Sequence, residues 1–200
     1  MLLETTITQT VIREISPDPL PPNRVSMKLR DETPSFLRDP VESGESIARY
    51  SFIGVQPRAQ YILRDGEIEI KDSDGTRTVQ YDNDPTYFLQ EEMSRFNFKA
   101  QAGVPRFIGG LVGYLGYESV RFFEPTLKPS MKHGQTPDGI YLLADTVIAF
   151  DHARRSLSLI ANVLDGDVES ANRKLDEIES RIHQPLPPTQ PREIKSSKTR

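Results

Sequence analysis

Proline limits this chain more than any other residue. It fixes φ and removes a backbone donor, so it is excluded from ladder and helix interiors. Half of the 16 prolines fall in two short stretches. Pro17, Pro19, Pro21 and Pro22 form one, and Pro185, Pro187, Pro188 and Pro191 form the other. Both read as extended connectors rather than ladder or helix. The second opens the tail HQPLPPTQPREIKSSKTR, which carries four bases and one acid from Arg192 onward. It reads as a linker that has lost what it links to. The folded part is therefore expected over residues 1–183, with a proline-rich basic tail over 184–200.

At 200 residues the chain suits one large domain or two small ones. No apolar run approaches the ~18–20 residues of a membrane span. The start, MLLETTITQTVIRE, lacks the basic flank and apolar core of a signal peptide. The absence of cysteine removes disulfides, thiolate zinc sites and cysteine nucleophiles together. It fits a reducing compartment, so a cytoplasmic protein is expected. The net charge of −4 weighs against nucleic acid as a partner.

Between the proline stretches, strand and helix signals alternate. Residues 10–15 are β-prone, and residues 25–29 suit one or two helical turns. Residues 46–55, SIARYSFIGV, read as a strand rich in β-branched and aromatic side chains. Residues 59–63 and 67–71 flank an Asp-Gly pair, the signature of a hairpin, and a third strand follows at 76–81. Asp84-Pro85 is a helix start, with Phe88, Leu89, Met93 and Phe96 as its apolar stripe. Residues 139–150 and 156–163 read as two apolar strands. Asp167 opens a last helix whose Val168, Ala171, Leu175, Ile178 and Ile182 share one face. The expected class is α+β, mostly antiparallel sheet with packed helices.

Chemistry-bearing patterns are sparse. Gly110, Gly113 and Gly116 recur every three residues, but the pattern is neither GxGxxG nor a P-loop. Close backbone approach is the better reading, with Tyr114 and Tyr117 filling the space beside the glycines. His133, His152 and His183 lie far apart in polar contexts and read as surface residues. The acidic pairs Glu67/Glu69, Glu91/Glu92 and Glu177/Glu179 read as solvated faces, because burying like charges raises at least one pKa. Glu42/Glu45 differ. Their loop, DPVESGESIARYS, leads into Arg49, so it offers a carboxylate for an ammonium and a guanidinium for a carboxylate. No metal-ligand cluster is visible.

Three blocks together resemble the anthranilate synthase component I family. Residues 35–54, SFLRDPVESGESIARYSFIG, are similar to a block that typically reads SFLLESVEGGERIGRYSFIG. Residues 108–124, IGGLVGYLGYESVRFFE, are similar to GGxVGYxGYDxVRxxE. Residues 142–163, LLADTVIAFDHARRSLSLIANV, are similar to an ADTxxxFDH strand followed by LxLIAN. Order and spacing agree across all three, and the resemblance covers roughly residues 10–183.

The resemblance implies a lyase reaction at the start of tryptophan synthesis. Chorismate plus ammonia from a glutamine amidotransferase subunit gives anthranilate and pyruvate. It also implies that the chorismate and magnesium residues lie in a C-terminal catalytic half absent here. The chain is then expected to be the N-terminal part of the two-part large-subunit fold, with no cofactor and no catalytic residue of its own. It would scaffold the catalytic half, in cis or in trans, and carry a feedback site for L-tryptophan.

The family's Leu-Leu-Glu-Ser motif for that site falls on Leu37, Arg38, Asp39 and Pro40. Only Leu37 is kept, so weakened feedback is expected. Arg49, Tyr50 and Ser51 match the following RYS and are expected to line the pocket. Gly110, Gly113, Tyr114, Gly116 and Tyr117 are expected to be structural. The alternatives are the N-terminal region of aminodeoxychorismate synthase component I, a stand-alone amino-acid-binding module, or a truncated remnant. An apolar patch left open to the catalytic half is expected around residues 108–117 and along 139–150.

Overall fold

The computed structural model describes residues 9–15, 20–31, 33–39, 49–81, 84–96, 98, 103–127, 136–163 and 166–186. In chain order the strands are β1 (Gln9–Ile15), β2 (Phe36–Arg38), β3 (Tyr50–Gly54), β4 (Ala59–Arg64), β5 (Glu67–Asp72), β6 (Gly75–Gln80), β7 (Gly110–Leu115), β8 (Gly139–Ala144), β9 (Thr146–Asp151) and β10 (Ser156–Val163). The helices are α1 (Pro22–Leu29), α2 (Pro85–Ser94), the single turn α3 (Val120–Phe123) and α4 (Val168–His183). The strands form two five-stranded sheets, β1-β10-β9-β3-β2 and β6-β5-β4-β8-β7. Their pairings are antiparallel throughout. The α+β class expected from the sequence is the one observed.

Local signals explain most elements. In the β4–β5 hairpin, Asp65 and Gly66 take φ of 51° and 88°, the left-handed pair a two-residue turn needs. Ile68 and Ile70 are buried while Glu67 and Lys71 are exposed, so the meander has one wet face. Asp84 caps α2 by accepting from the Thr86 N–H at 2.8 Å. Asp167 caps α4 by accepting from Ser170 at 2.9 Å. Pro22 departs from the expected extended connector. It occupies the first position of α1, where its missing N–H has no intrahelical partner to lose.

The run 139–150 is not one strand. It breaks at Asp145, placing β8 in the second sheet and β9 in the first. The Asp145 carbonyl accepts the Asn162 backbone N–H at 2.8 Å and its Nδ2 at 3.0 Å. The Asp145 carboxylate takes Lys174 Nζ at 2.9 Å. Nδ2 of Asn162 also donates to the Ile108 carbonyl at 2.6 Å, and Thr10 Oγ1 donates to its Oδ1 at 3.0 Å. One buried amide thus joins β1, β10, the sheet-to-sheet crossing and the chain entering β7.

Three apolar clusters fill the molecule. On one face of the first sheet, α1 and α4 bury Val25, Leu29, Leu175, Ile178 and Ile182 against Ile53, Ile148 and Leu159. The opposite face packs Phe52, Val147, Ala149 and Ile160 with Ile108 and Ala144. In the second sheet Tyr61, Leu63, Ile68, Ile70 and Leu143 meet Leu89 of α2. Glu92 of α2, expected on a solvated face, is 6 % exposed. It accepts from the Tyr61 hydroxyl at 3.0 Å and pairs with Arg95 at 2.9 Å, which satisfies the buried charge.

Close approach holds at Gly109 and Gly113 of the glycine block, whereas Gly110 takes a φ of 133° and Gly116 meets nothing nearer than 3.4 Å. A Cβ at Gly109 would stand 2.7 Å from Asn162 Nδ2 and 2.8 Å from the Ala144 carbonyl. At Gly113 it would fall on the Ile140 carbonyl oxygen and 2.7 Å from Tyr141 Cα. Tyr114 and Tyr117 do not fill space beside the glycines. They are 48 % and 83 % exposed, because β7 is an edge strand and the chain turns outward after it. The expected apolar patch is corrected likewise. Ile108 and most of residues 139–150 are buried, and the exposed apolar side chains here are Tyr114, Tyr117, Phe123 and Leu127. Gly113→Ala is therefore expected to cost about 1–3 kcal/mol in urea denaturation. Gly116→Ala meets its nearest atom only at 3.4 Å and is expected to cost clearly less.

Candidate functional site

The residues singled out around RYS lie where β2, β3 and β9 run side by side. Cross-strand partners share a face, and neighbours along a strand alternate. Arg38 pairs with Phe52, and Tyr50 pairs with Asp151. Arg38, Tyr50, Phe52 and Asp151 therefore share the face opposite the helices. Leu37 pairs with Ile53, and Ser51 pairs with Phe150, so these belong to the helix-covered side. Asp39 is exposed. Pro40 and the Glu42/Glu45 loop lie outside the described residues, as does His133. The candidate residues are thus split between two faces, and Tyr50, with Arg49 stacked on its ring, stands on the face opposite the helices.

Arg49 is the anchor of that face. Its Nε reaches both Asp151 carboxylate oxygens at 3.1 Å, and its terminal nitrogen reaches Oδ2 at 2.6 Å. The guanidinium also lies 4.9 Å from the Tyr50 ring centroid. Asp151 is buried, and its Oδ1 accepts the backbone N–H groups of Ala153 and Arg154, both at 3.1 Å. These bonds hold the Asp151 carboxyl down at about 2, with Arg49 the largest cause. Such a group stays ionised at neutral pH, so it serves as a structural anion and not as a general acid or base. Tyr50 is pushed upward, first by burial and then by the Asp151 charge.

Behind the strand, fully buried Ser51 places its hydroxyl 2.6 Å from Nε2 of His152. The His152 backbone N–H donates to the Arg49 carbonyl at 2.9 Å. His152 is exposed as the sequence suggests, but its ring is tied to β3. A second clamp sits at the far end of the glycine block. Buried Arg121 holds both oxygens of Asp138 at 2.7 and 2.8 Å and packs 4.5 Å over the Phe122 ring. Asp138 also accepts the Asp65 N–H at 2.8 Å, so α3 and the β4–β5 turn share one anion. Among the described residues, no group of three or more His, Asp or Glu side chains gathers as a metal site. No described helix is long and apolar enough to cross a membrane.

Asp138, Asp151 and His152 were not picked out as site residues from the sequence alone. The signal was available in part, since Asp151 and His152 stand in the FDH of the third family-like block and Arg121 in the VR of the second. Comparison with known proteins then decides the family. Its sequence pattern, described as chorismate binding enzyme, matches residues 35–200. The chain belongs to the chorismate binding enzyme family.

Within it, the chain is similar to anthranilate synthase component 1 of Acinetobacter calcoaceticus, at 35 % identity over 88 % of this chain. The same-named protein of Pseudomonas aeruginosa is 32 % identical over 90 % of this chain. The chain spans 37 % of the length of each of these relatives. In fold it resembles the crystal structure of anthranilate synthase component I from Streptococcus pneumoniae TIGR4. That match has a TM-score of 0.55 and 22 % identity, covering 85 % of this chain and 36 % of that one.

The Arg49–Asp151 clamp has a pH signature. An aspartate depressed from 3.8 to about 2 adds stability that is complete well above 3.8 and is lost as pH falls toward 2. Because Arg49 is 41 % exposed, solvent screening keeps this contribution small. Asp151→Asn should therefore lose stability relative to the parent at pH 7, with the gap closing between pH 5 and pH 2. Urea midpoints measured across that range check it.

Proposed function

We propose that this chain is the N-terminal scaffold and regulatory region of an anthranilate synthase component 1. It supports a chorismate-binding catalytic half without itself performing the lyase chemistry. The observation that carries the reading is the match at 35 % identity across 88 % of the chain but only 37 % of the relative. The geometry supports it. The buried carboxylates of Asp151 and Asp138 are held in structural pairs, with Arg49 and Arg121 respectively. Neither carboxylate is placed to shuttle protons. In this reading the holoenzyme takes ammonia from a glutamine amidotransferase subunit, and magnesium belongs to the catalytic half.

The regulatory part of the proposal is an L-tryptophan site around Arg38, Asp39, Arg49 and Tyr50. Relative to Leu-Leu-Glu-Ser, this chain puts a charge at Arg38, shortens the acid at Asp39 and removes a hydroxyl and an N–H at Pro40. Each lost polar contact weakens binding by roughly 0.5–1.5 kcal/mol. Weak tryptophan binding is expected, and the triple change Arg38→Leu, Asp39→Glu, Pro40→Ser should tighten it about 10- to 100-fold by calorimetry.

The scaffold role is tested by co-expression with the C-terminal remainder of the Acinetobacter calcoaceticus relative. The two pieces should copurify and form fluorescent anthranilate from chorismate and ammonium, while this chain alone forms none. Pieces that never associate, or anthranilate formation by the chain alone, would remove the reading.

A further inference from the structure

We propose that strand β7 is a pairing edge for a second copy of this chain, the two β7 strands running antiparallel about Gly113 and joining the second sheets of two molecules. The pairing is independent of the tryptophan site and of the scaffold role.

A sheet edge presents a row of unpaired N–H and C=O groups, and natural proteins blunt it with charge. The two sheets have four edges, β1, β2, β6 and β7. β1 carries Arg13 and Glu14, β2 carries Arg38, and β6 carries Arg77. β7 reads Gly-Leu-Val-Gly-Tyr-Leu and carries no charge. Among the described residues it is the edge left without that protection.

The backbone of β7 divides by alternation. The Gly116 N–H donates to the Asp138 carbonyl at 2.7 Å, in register with the β7–β8 ladder. Bonded pairs alternate along an antiparallel ladder. Gly110, Val112 and Tyr114 therefore bond to β8, and Leu111, Gly113 and Leu115 turn their backbone groups outward. Among the described residues, no other hydrogen bond reaches these three.

The outward groups are self-complementary. With Gly113 opposite its own copy, Leu111 lies opposite Leu115 across the seam, and each such pair exchanges both N–H···O bonds. Val112 then lies opposite Tyr114, a β-branched side chain against an aromatic one. Within each sheet Tyr114 pairs with Ile140 and Ile140 with Ile62, so the seam continues a row of partly exposed apolar side chains. Neither copy brings a charge into the seam, so no ion is desolvated there. Self-pairing of β1, β2 or β6 would instead bring arginines together. Six paired residues fall short of the ~1,200 Å² of a tight complex, so a reversible dimer is expected.

The test is sedimentation velocity of the full chain across a dilution series, with Tyr114→Lys on β7 and Thr78→Lys on β6 as variants. Both replaced residues are exposed, and a urea midpoint matching the parent checks that each variant folds. The parent should pass from monomer to dimer as concentration rises. Tyr114→Lys should weaken the dimer about tenfold, because symmetry removes the cross-strand pair twice and sets two like charges near each other. Thr78→Lys, at the other edge of the same sheet, should dimerise as the parent does. Amide exchange of Leu111, Gly113 and Leu115 should slow with concentration in the parent. A parent that stays monomeric, or a dimer indifferent to Tyr114→Lys, would overturn the inference. So would protection of these amides that appears only when the C-terminal remainder of the Acinetobacter calcoaceticus relative is added, which would assign the edge to that remainder.

Discussion

One buried side-chain amide ties the two sheets together. The Nδ2 of Asn162 has two hydrogens, and each meets a backbone carbonyl, Ile108 and Asp145. Its oxygen accepts from Thr10. Without this donor the Ile108 carbonyl would lose a buried partner, at a desolvation cost of about 1–3 kcal/mol for such a group. Gly109 makes the arrangement possible, since any Cβ there would press on Nδ2. The glycine block and the LIAN strand are far apart in sequence but are two halves of one contact.

From that junction the rest follows by packing and charge. Crossing at Asp145 sends β8 into one sheet and β9 into the other, with Lys174 of α4 holding the corner. The helix layer then covers one face of the first sheet and leaves the end of the other face for Tyr50, Arg49 and Asp151. The two arginine clamps differ in setting. Arg121–Asp138 is buried on both sides, so breaking one partner leaves an uncompensated charge inside. Arg49–Asp151 has a buried anion and a half-open cation, which suits the wall of a site facing solvent.

Elements with strong local signals were legible in the sequence. The β4–β5 hairpin, the capped start of α2 and the stripe of α4 each rest on a few neighbouring residues. The break at Asp145 was not legible, because β8 and β9 are largely buried and read as one continuous apolar run. Strand β2 is three half-exposed residues with no period to detect. Glu92 looked solvated because its partner Tyr61 lies 31 positions away. At the site, the RYS residues were identified, but not that Tyr50 and Ser51 face opposite ways. Their partners Asp151 and His152 stand about a hundred positions downstream. Alternation along a confirmed strand separates the two faces, and that required the register.

The Asn162 amide couples the two sheets. Hydrogen exchange of Asn162→Ala read by mass spectrometry tests it most directly. Amides of β7 and β8 are expected to lose protection together with those of β1 and β10, although Asn162 belongs to none of the second sheet's strands. Loss of protection confined to β10 and its immediate neighbours, with the second sheet exchanging as in the parent, would contradict it.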